Sequence, residues 1–180
     1  MTRKLVSIKH ISDIQPIPGA DAIECATIDG GWAVVVKKHE FKVGEAVVYF
    51  EIDCWVPHDL APFLSAPTGP KEYLGIKGNR LRTVKLRGQL SQGLVLPVHP
   101  TFPSDYNPVD GDDVSERLGV VKWEPPAPSG FTNARANFPA FIPKTDQERV
   151  QNIARDVLPG GTHHTATYEV TIKMDGSSMT

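Results

Sequence analysis

The stretch that decides the fold is AIECATIDGGWAVVVK, residues 22–37. Two runs rich in β-branched and aromatic residues, AIECATI and WAVVVK, flank Asp29-Gly30-Gly31. Such runs favour extended backbone, and neighbouring glycines accept the positive φ of a tight turn, so a β-hairpin is expected. RKLVSIKH precedes the hairpin, and AVVYFEI, RLRTVKL and GLVLPV follow it, separated by turn chemistry such as IPGADA and KVGE. Five or six short strands with little helix, over about the first hundred residues, predict a mainly β fold: a small barrel or sandwich.

The chain has 180 residues, room for one ordinary domain or a small one with part of another. Hydrophobic residues make up 40% and charged residues 22%, which excludes a disordered tail. No apolar run approaches the ~18 residues of a membrane span, and the amino terminus lacks the apolar stretch of a secretory signal. A cytoplasmic protein without a membrane partner is expected. Cys25 and Cys54 are expected as buried thiols, and none of the histidines has metal-ligand spacing around it, the His163-His164 pair included.

Formal net charge is −2, so the molecule as a whole does not advertise a polyanionic partner. Its distribution is uneven. In KEYLGIKGNRLRTVKLRG, residues 71–88, six basic side chains (Lys71, Lys77, Arg80, Arg82, Lys85, Arg87) face one acidic one, Glu72. This segment reads either as a phosphate-binding surface or as a solvated hairpin face. Arg80, Arg82, Lys85 and Arg87 alternate in part along one expected strand, and they are the candidate phosphate contacts. The rings of Trp32, Tyr49, Phe50 and Trp55 read first as core.

From Pro97 to Pro143 there are nine prolines, and proline lacks the amide hydrogen that a sheet interior needs. A Pro-rich linker is expected over residues 121–137, between a domain of residues 1–120 and the start of another at 138–180. Thr145 and Glu148 fit a capping box, and Val150, Ile153 and Val157 give the helix that follows one apolar stripe. Tyr168, Val170 and Ile172 then alternate with polar residues, as in a half-buried strand that ends at Lys173. Only about one lysine in a thousand is a neutral amine at neutral pH, so a nucleophilic lysine needs burial or nearby positive charge. A strand end before the Asp175-Gly176 turn suits that role. The same pattern also describes a solvated hairpin lysine. The glycine-rich loop of a P-loop lysine is absent from the sequence.

Lys-x-Asp-Gly is similar to motif I of the covalent nucleotidyltransferases, the polynucleotide ligases and capping enzymes. Ser178 stands where DNA ligases and capping enzymes carry arginine. Four ordered blocks, KVGEAVVYFEIDCWVP, LRGQLSQGLVLPV, FPAFIPKTDQERVQN and YEVTIKMDGSSMT, resemble ATP-dependent RNA ligases of the Deinococcus type, in which an N-terminal OB-fold precedes the nucleotidyltransferase domain. The resemblance implies an OB-fold-like small β-barrel, a linker, and the helix-plus-strand start of an α+β nucleotidyltransferase domain. It implies RNA ends or a nicked duplex as substrate, ATP, and Mg2+ or Mn2+ held by ligands that are not identified. Lys173 would be the nucleophile that becomes adenylated, with Asp175 as polar support. Gln151 (or Asn152), Val170, Thr171, Ile172, Gly176 and Ser177 would line the ATP site. Related ligases often carry Glu before the lysine; Ile172 stands there in this sequence, so an adenine contact at that point would come from main chain. The acidic metal-binding residues and Lys-x-Lys pair of that superfamily lie well after motif I. The chain is therefore expected to be the N-terminal part of a ligase, loosely held from about residue 121 and inactive in ligation by itself. The alternative is a stand-alone OB-fold RNA-binding module, since IPGADAIE is also similar to tRNA-binding OB domains.

Overall fold

A computed structural model describes residues 3–125, 150–157, 159–163, 165–167 and 169. The described strands, in chain order, are β1 (Val6–Pro16), β2 (Ile23–Ile28), β3 (Trp32–Lys37), β4 (Ala46–Phe50), β5 (Cys54–Pro57), β6 (Lys71–Tyr73), β7 (Ile76–Arg80), β8 (Val84–Leu86), β9 (Gln89–Ser91), β10 (Leu94–Pro97) and β11 (Val121–Lys122). A kinked turn of helix, α1 (Val98–Thr101), follows β10, and α2 spans Val150–Val157. The mainly β fold expected from the sequence is the one observed.

The hairpin at Asp29-Gly30-Gly31 forms as expected, with Ile28 opposite Trp32. β1 then does two jobs. Its first half, Val6 to His10, pairs with β4, and its second half, Ile11 to Pro16, pairs with β2. The register shift between Ile11 and Asp13 marks the bulge at which the strand bends from one partner to the other. The resulting antiparallel sheet has the order β10-β4-β1-β2-β3. Gln92 N donates to Ala33 O (2.7 Å), tying the segment before β10 back to β3 and curling the sheet toward closure.

The composition of β4, AVVYF, explains its central place. It is apolar on both faces, and both faces are buried. Val48 and Phe50 pack with Ile8, Cys54, Leu81 and Val120, whereas Val47 and Tyr49 pack with Ile11, Trp32, Val34 and Val95. A strand apolar on one face alone could not separate two cores in this way.

Between β4 and β10 the chain lays down β5, β6 and β7, which β11, following β10, completes as a second sheet of order β11-β5-β7-β6, and β8 and β9 form a separate ribbon. This corrects the expectation of one strand over RLRTVKL. Leu81 is buried, its N–H donates to Cys54 O, and its carbonyl accepts from Asp53 N, each at 2.9 Å. That inward anchor ends β7 at Arg80, and extended pairing resumes only at Val84.

Val121 and Lys122, where the linker was expected to begin, pair with Trp55 and Cys54. The capping box at Thr145 and Glu148 and the strand expected from Tyr168 to Ile172, Glu169 apart, lie outside the described residues. No helix of the described residues is long and apolar enough to cross a membrane.

Candidate nucleic-acid interface

The basic segment folds into two hairpins. In the first, Leu74 (φ 50°) and Gly75 (φ 78°) join β6 to β7, with Tyr73 opposite Ile76. In the second, Arg87 (φ 49°) and Gly88 (φ 87°) join β8 to β9, with Leu86 opposite Gln89. Two positive φ values in a two-residue loop match the twist of the flanking strands, which is why both turns close tightly. Arg87 therefore sits in a turn and not on a strand face.

The four arginines and lysines expected on one face are thus divided. Lys85 and Arg87 are exposed on the β8–β9 ribbon, beside β3. Arg82 is exposed in the connection, and Arg80 is half-buried at the end of β7. Asp53 accepts from Arg80 Nε at 3.0 Å and from Nη2 at 2.5 Å, so this guanidinium is held in place. Its plane lies over the ring of Trp123, with Cζ 3.6 Å from the centroid.

Around that stack is a cavity of about 670 Å3, lined by Trp55, Lys71, Glu72, Tyr73, Asn79, Arg80, Arg82, Trp123, Glu124 and Pro125. A second cavity of about 500 Å3 shares Arg80, Trp123, Glu124 and Pro125 and adds Arg3, Asp53 and Lys122. Trp55 is 4% exposed and donates through Nε1 to Ile76 O (3.0 Å), which fixes it as the floor. Gly78 makes that floor possible: a Cβ there would come within 2.1 Å of Val56 O and 3.0 Å of Trp55 Nε1. Trp32, Tyr49 and Phe50 are core residues, as the strand patterning implied. Tyr73 and Trp123 were the rings the sequence reading missed. The alternation in VVKW, with Val120 buried and the next pair in a strand, was the signal available for Trp123.

Gln151 is half-buried on α2, and its carbonyl packs against Gly30, which has φ 95° and no Cβ to collide with it. Beside it Asn152 bridges the barrel: Oδ1 accepts from Trp32 Nε1 (3.0 Å), and Nδ2 donates to Glu51 Oε1. Val170, Thr171, Ile172, Lys173, Asp175, Gly176 and Ser177 lie outside the described residues.

Both cysteines are free and buried. Burial pushes the Cys54 thiol up to about 12, and burial with the nearby Asp13 charge raises Cys25, so neither is a reactive thiolate. Folding also brings together His10, Asp29 and Asp110, with His10 Nδ1 3.2 Å from Asp110 and 3.9 Å from Asp29. Residues so far apart in sequence carry no spacing signal.

A profile of the OB-fold domain family matches residues 5–98. The chain belongs to that family. Solved structures similar to the chain include those of a Naegleria gruberi RNA ligase. A form with ATP and Mn is 50% identical with a TM-score of 0.68, covering 83% of this chain and 44% of that one. A form with pyrophosphate is 50% identical with a TM-score of 0.67, covering 84% and 45%. The chain therefore spans less than half the length of those ligase chains. No curated protein sequence matches the chain significantly.

Proposed function

We propose that the chain is the N-terminal part of an ATP-dependent RNA ligase, an OB-fold domain followed by the opening of the nucleotidyltransferase domain through motif I. The observation that carries this reading is the 50% identity to the Naegleria gruberi RNA ligase over 83% of the chain. Supporting it, the variants of that ligase whose structures are solved include a changed lysine and a changed aspartate two residues later. Lys173 and Asp175 have the same spacing.

In this reading the neutral Lys173 amine attacks the α-phosphorus of ATP. A nitrogen–phosphorus bond forms, the bond to the β-phosphate oxygen breaks, pyrophosphate leaves, and the lysine gives up its proton. AMP then passes to an RNA 5′-phosphate, and a 3′-hydroxyl attacks that activated phosphate and releases AMP. Asp175 and Gly176 shape the turn that presents the lysine. Gln151, Val170, Thr171, Ile172 and Ser177 line the nucleotide site, and Arg80, Arg82, Lys85 and Arg87 face the RNA. A divalent cation, Mg2+ or Mn2+, supplies charge neutralisation on the ATP phosphates when bound; no residue of this chain is assigned to it.

Intact-mass spectrometry after incubation with ATP and Mn2+ tests the reading, on the chain and on Lys173→Ala, with and without the remaining part of the ligase supplied in trans. An AMP adduct that requires Lys173 is expected when that part is present. No adduct under either condition favours the second reading, an OB-fold RNA-binding module, which the profile match over residues 5–98 supports without any catalytic residue.

A further inference from the structure

The aromatic cavity lies on the inserted sheet of β11, β5, β7 and β6, apart from the five-stranded barrel sheet. Its parts are fixed before any ligand arrives. Tyr73 lies 5.2 Å from Trp55, tilted by 44°, and Tyr73 Oη accepts from Glu124 N at 3.1 Å. Trp123 N donates to Asp53 O (2.8 Å), the residue whose carboxylate also holds Arg80. One aspartate therefore positions both members of the Arg80–Trp123 stack, and the next residue, Glu124, positions Tyr73. Preorganised rings save the ordering cost that flexible ones would incur on binding.

The chemistry of the lining narrows the occupant. A volume of about 670 Å3 falls within the range of small-ligand sites, and rings at floor and wall suit a flat π-system. Lys71 and Arg82, both exposed at the rim, suit a phosphate attached to it. Glu72 and Glu124 stand at the same rim. Two carboxylates disfavour a densely charged duplex backbone running across the opening, yet they accept hydrogen bonds from exocyclic amino groups of a base. A base inside a duplex has both faces covered by its neighbours and cannot enter such a cavity; an unpaired one can.

We infer that the cavity bounded by Trp55, Tyr73, Arg80 and Trp123 is a subsite for one unpaired nucleotide of RNA, its base against the rings and its phosphate at Lys71 and Arg82. The second cavity, across the Arg80–Trp123 stack, continues the path past Lys122. The choice of RNA rests on the ligase reading, whereas the choice of an unpaired base rests on the cavity alone.

The test uses the 180-residue chain and a fluorescein-labelled RNA of about ten nucleotides, within the usual reach of an OB-fold, as single strand and as blunt duplex. Anisotropy is expected to show tighter binding of the single strand. Tyr73→Leu and Trp123→Leu each weaken it about tenfold or more, as loss of one base-stacking partner does, while Tyr73→Phe and Trp123→Phe retain most of the affinity. Tryptophan emission provides a readout that does not depend on the leucine variants folding. Unlabelled RNA quenches the wild-type chain, and most of that quenching disappears in Trp123→Phe. Equal affinity for single strand and duplex, or equal quenching in Trp123→Phe, overturns the assignment. Lysine adenylation is followed separately in the same variants with the remaining part of the ligase added. Absence of the adduct with RNA quenching intact removes the ligase reading and leaves the subsite. Loss of preferential single-strand binding with the adduct intact removes the subsite alone.

Discussion

Arg3 and Glu51 form a buried ion pair whose two halves can be removed singly or together. Their side chains are 7% and 3% exposed, and the guanidinium reaches Glu51 Oε2 at 2.7 Å from both Nε and Nη2. Nη2 also donates to Ile52 O at 2.9 Å, and Asn152 donates to the other carboxylate oxygen. Replacing Arg3 with Met keeps most of the volume but leaves the Glu51 carboxylate buried without the guanidinium that pairs with it. Removing one partner of a buried pair costs about 3–5 kcal/mol, because the remaining charge loses both its solvent and its counter-ion. At about 2–4 °C per kcal/mol for a chain of this size, Tm falls by roughly 10 °C. Replacing both, Arg3→Met with Glu51→Met, leaves no charge behind, and exchange of a buried pair for apolar side chains is often nearly neutral. The double variant is therefore expected to recover most of the loss. Urea unfolding followed by tryptophan emission measures all three proteins. A single-variant loss below about 1 kcal/mol, or a double variant no better than the single, refutes the buried-pair reasoning.

Three further outcomes follow from particular residues. Gly78→Ala drives a methyl to within 2.1 Å of Val56 O and should cost about 1–3 kcal/mol in urea unfolding while disturbing the Trp55 floor. Lys85→Gln with Arg87→Gln, on the exposed ribbon, should lower the slope of log K for single-stranded RNA against log salt by about 0.7 per lost phosphate contact; Tyr73→Phe should leave that slope unchanged. The Cys54 thiol is raised from 9.0 to about 12 on folding, so above pH 9 the unfolded chain has released a proton that the folded chain retains. Stability then falls with rising pH, by up to about 1.4 kcal/mol per unit across that window, with no contribution below it. A Cys54→Ala variant should show a shallower decline between pH 9 and 10, and equal slopes would contradict the assignment.

The barrel was legible because local and global signals agree there. The glycine turn at 29–31, the two-sided apolar run of β4 and the alternating β3 each carry one period and one partner. The inserted sheet was not legible for the opposite reason. Its strands are three to five residues long apart from the two-residue β11, too short for a period to show, and its order β11-β5-β7-β6 joins segments far apart in sequence. RLRTVKL had strand composition throughout, but one buried leucine in its second position outweighed the pattern. The same long-range assembly explains why Trp123, in a stretch that reads as a proline linker, became a wall of the cavity.

That division of the basic segment has a functional consequence. Charges on one continuous strand would all act on the phosphate backbone, with one salt dependence and little discrimination between single and double strands. In the proposed RNA interface the break at Leu81 separates two kinds of contact. Lys85 and Arg87 stay exposed on a ribbon that suits phosphate tracking, whereas Arg80 is turned onto an indole and fixed by Asp53. A guanidinium already paired with a carboxylate contributes little net charge to a passing polyanion, but its plane extends an aromatic wall. Arg80→Lys should therefore weaken preference for unpaired RNA more than it alters the salt slope, because it preserves charge and removes the plane. A change in slope with preference intact would place Arg80 among the phosphate contacts.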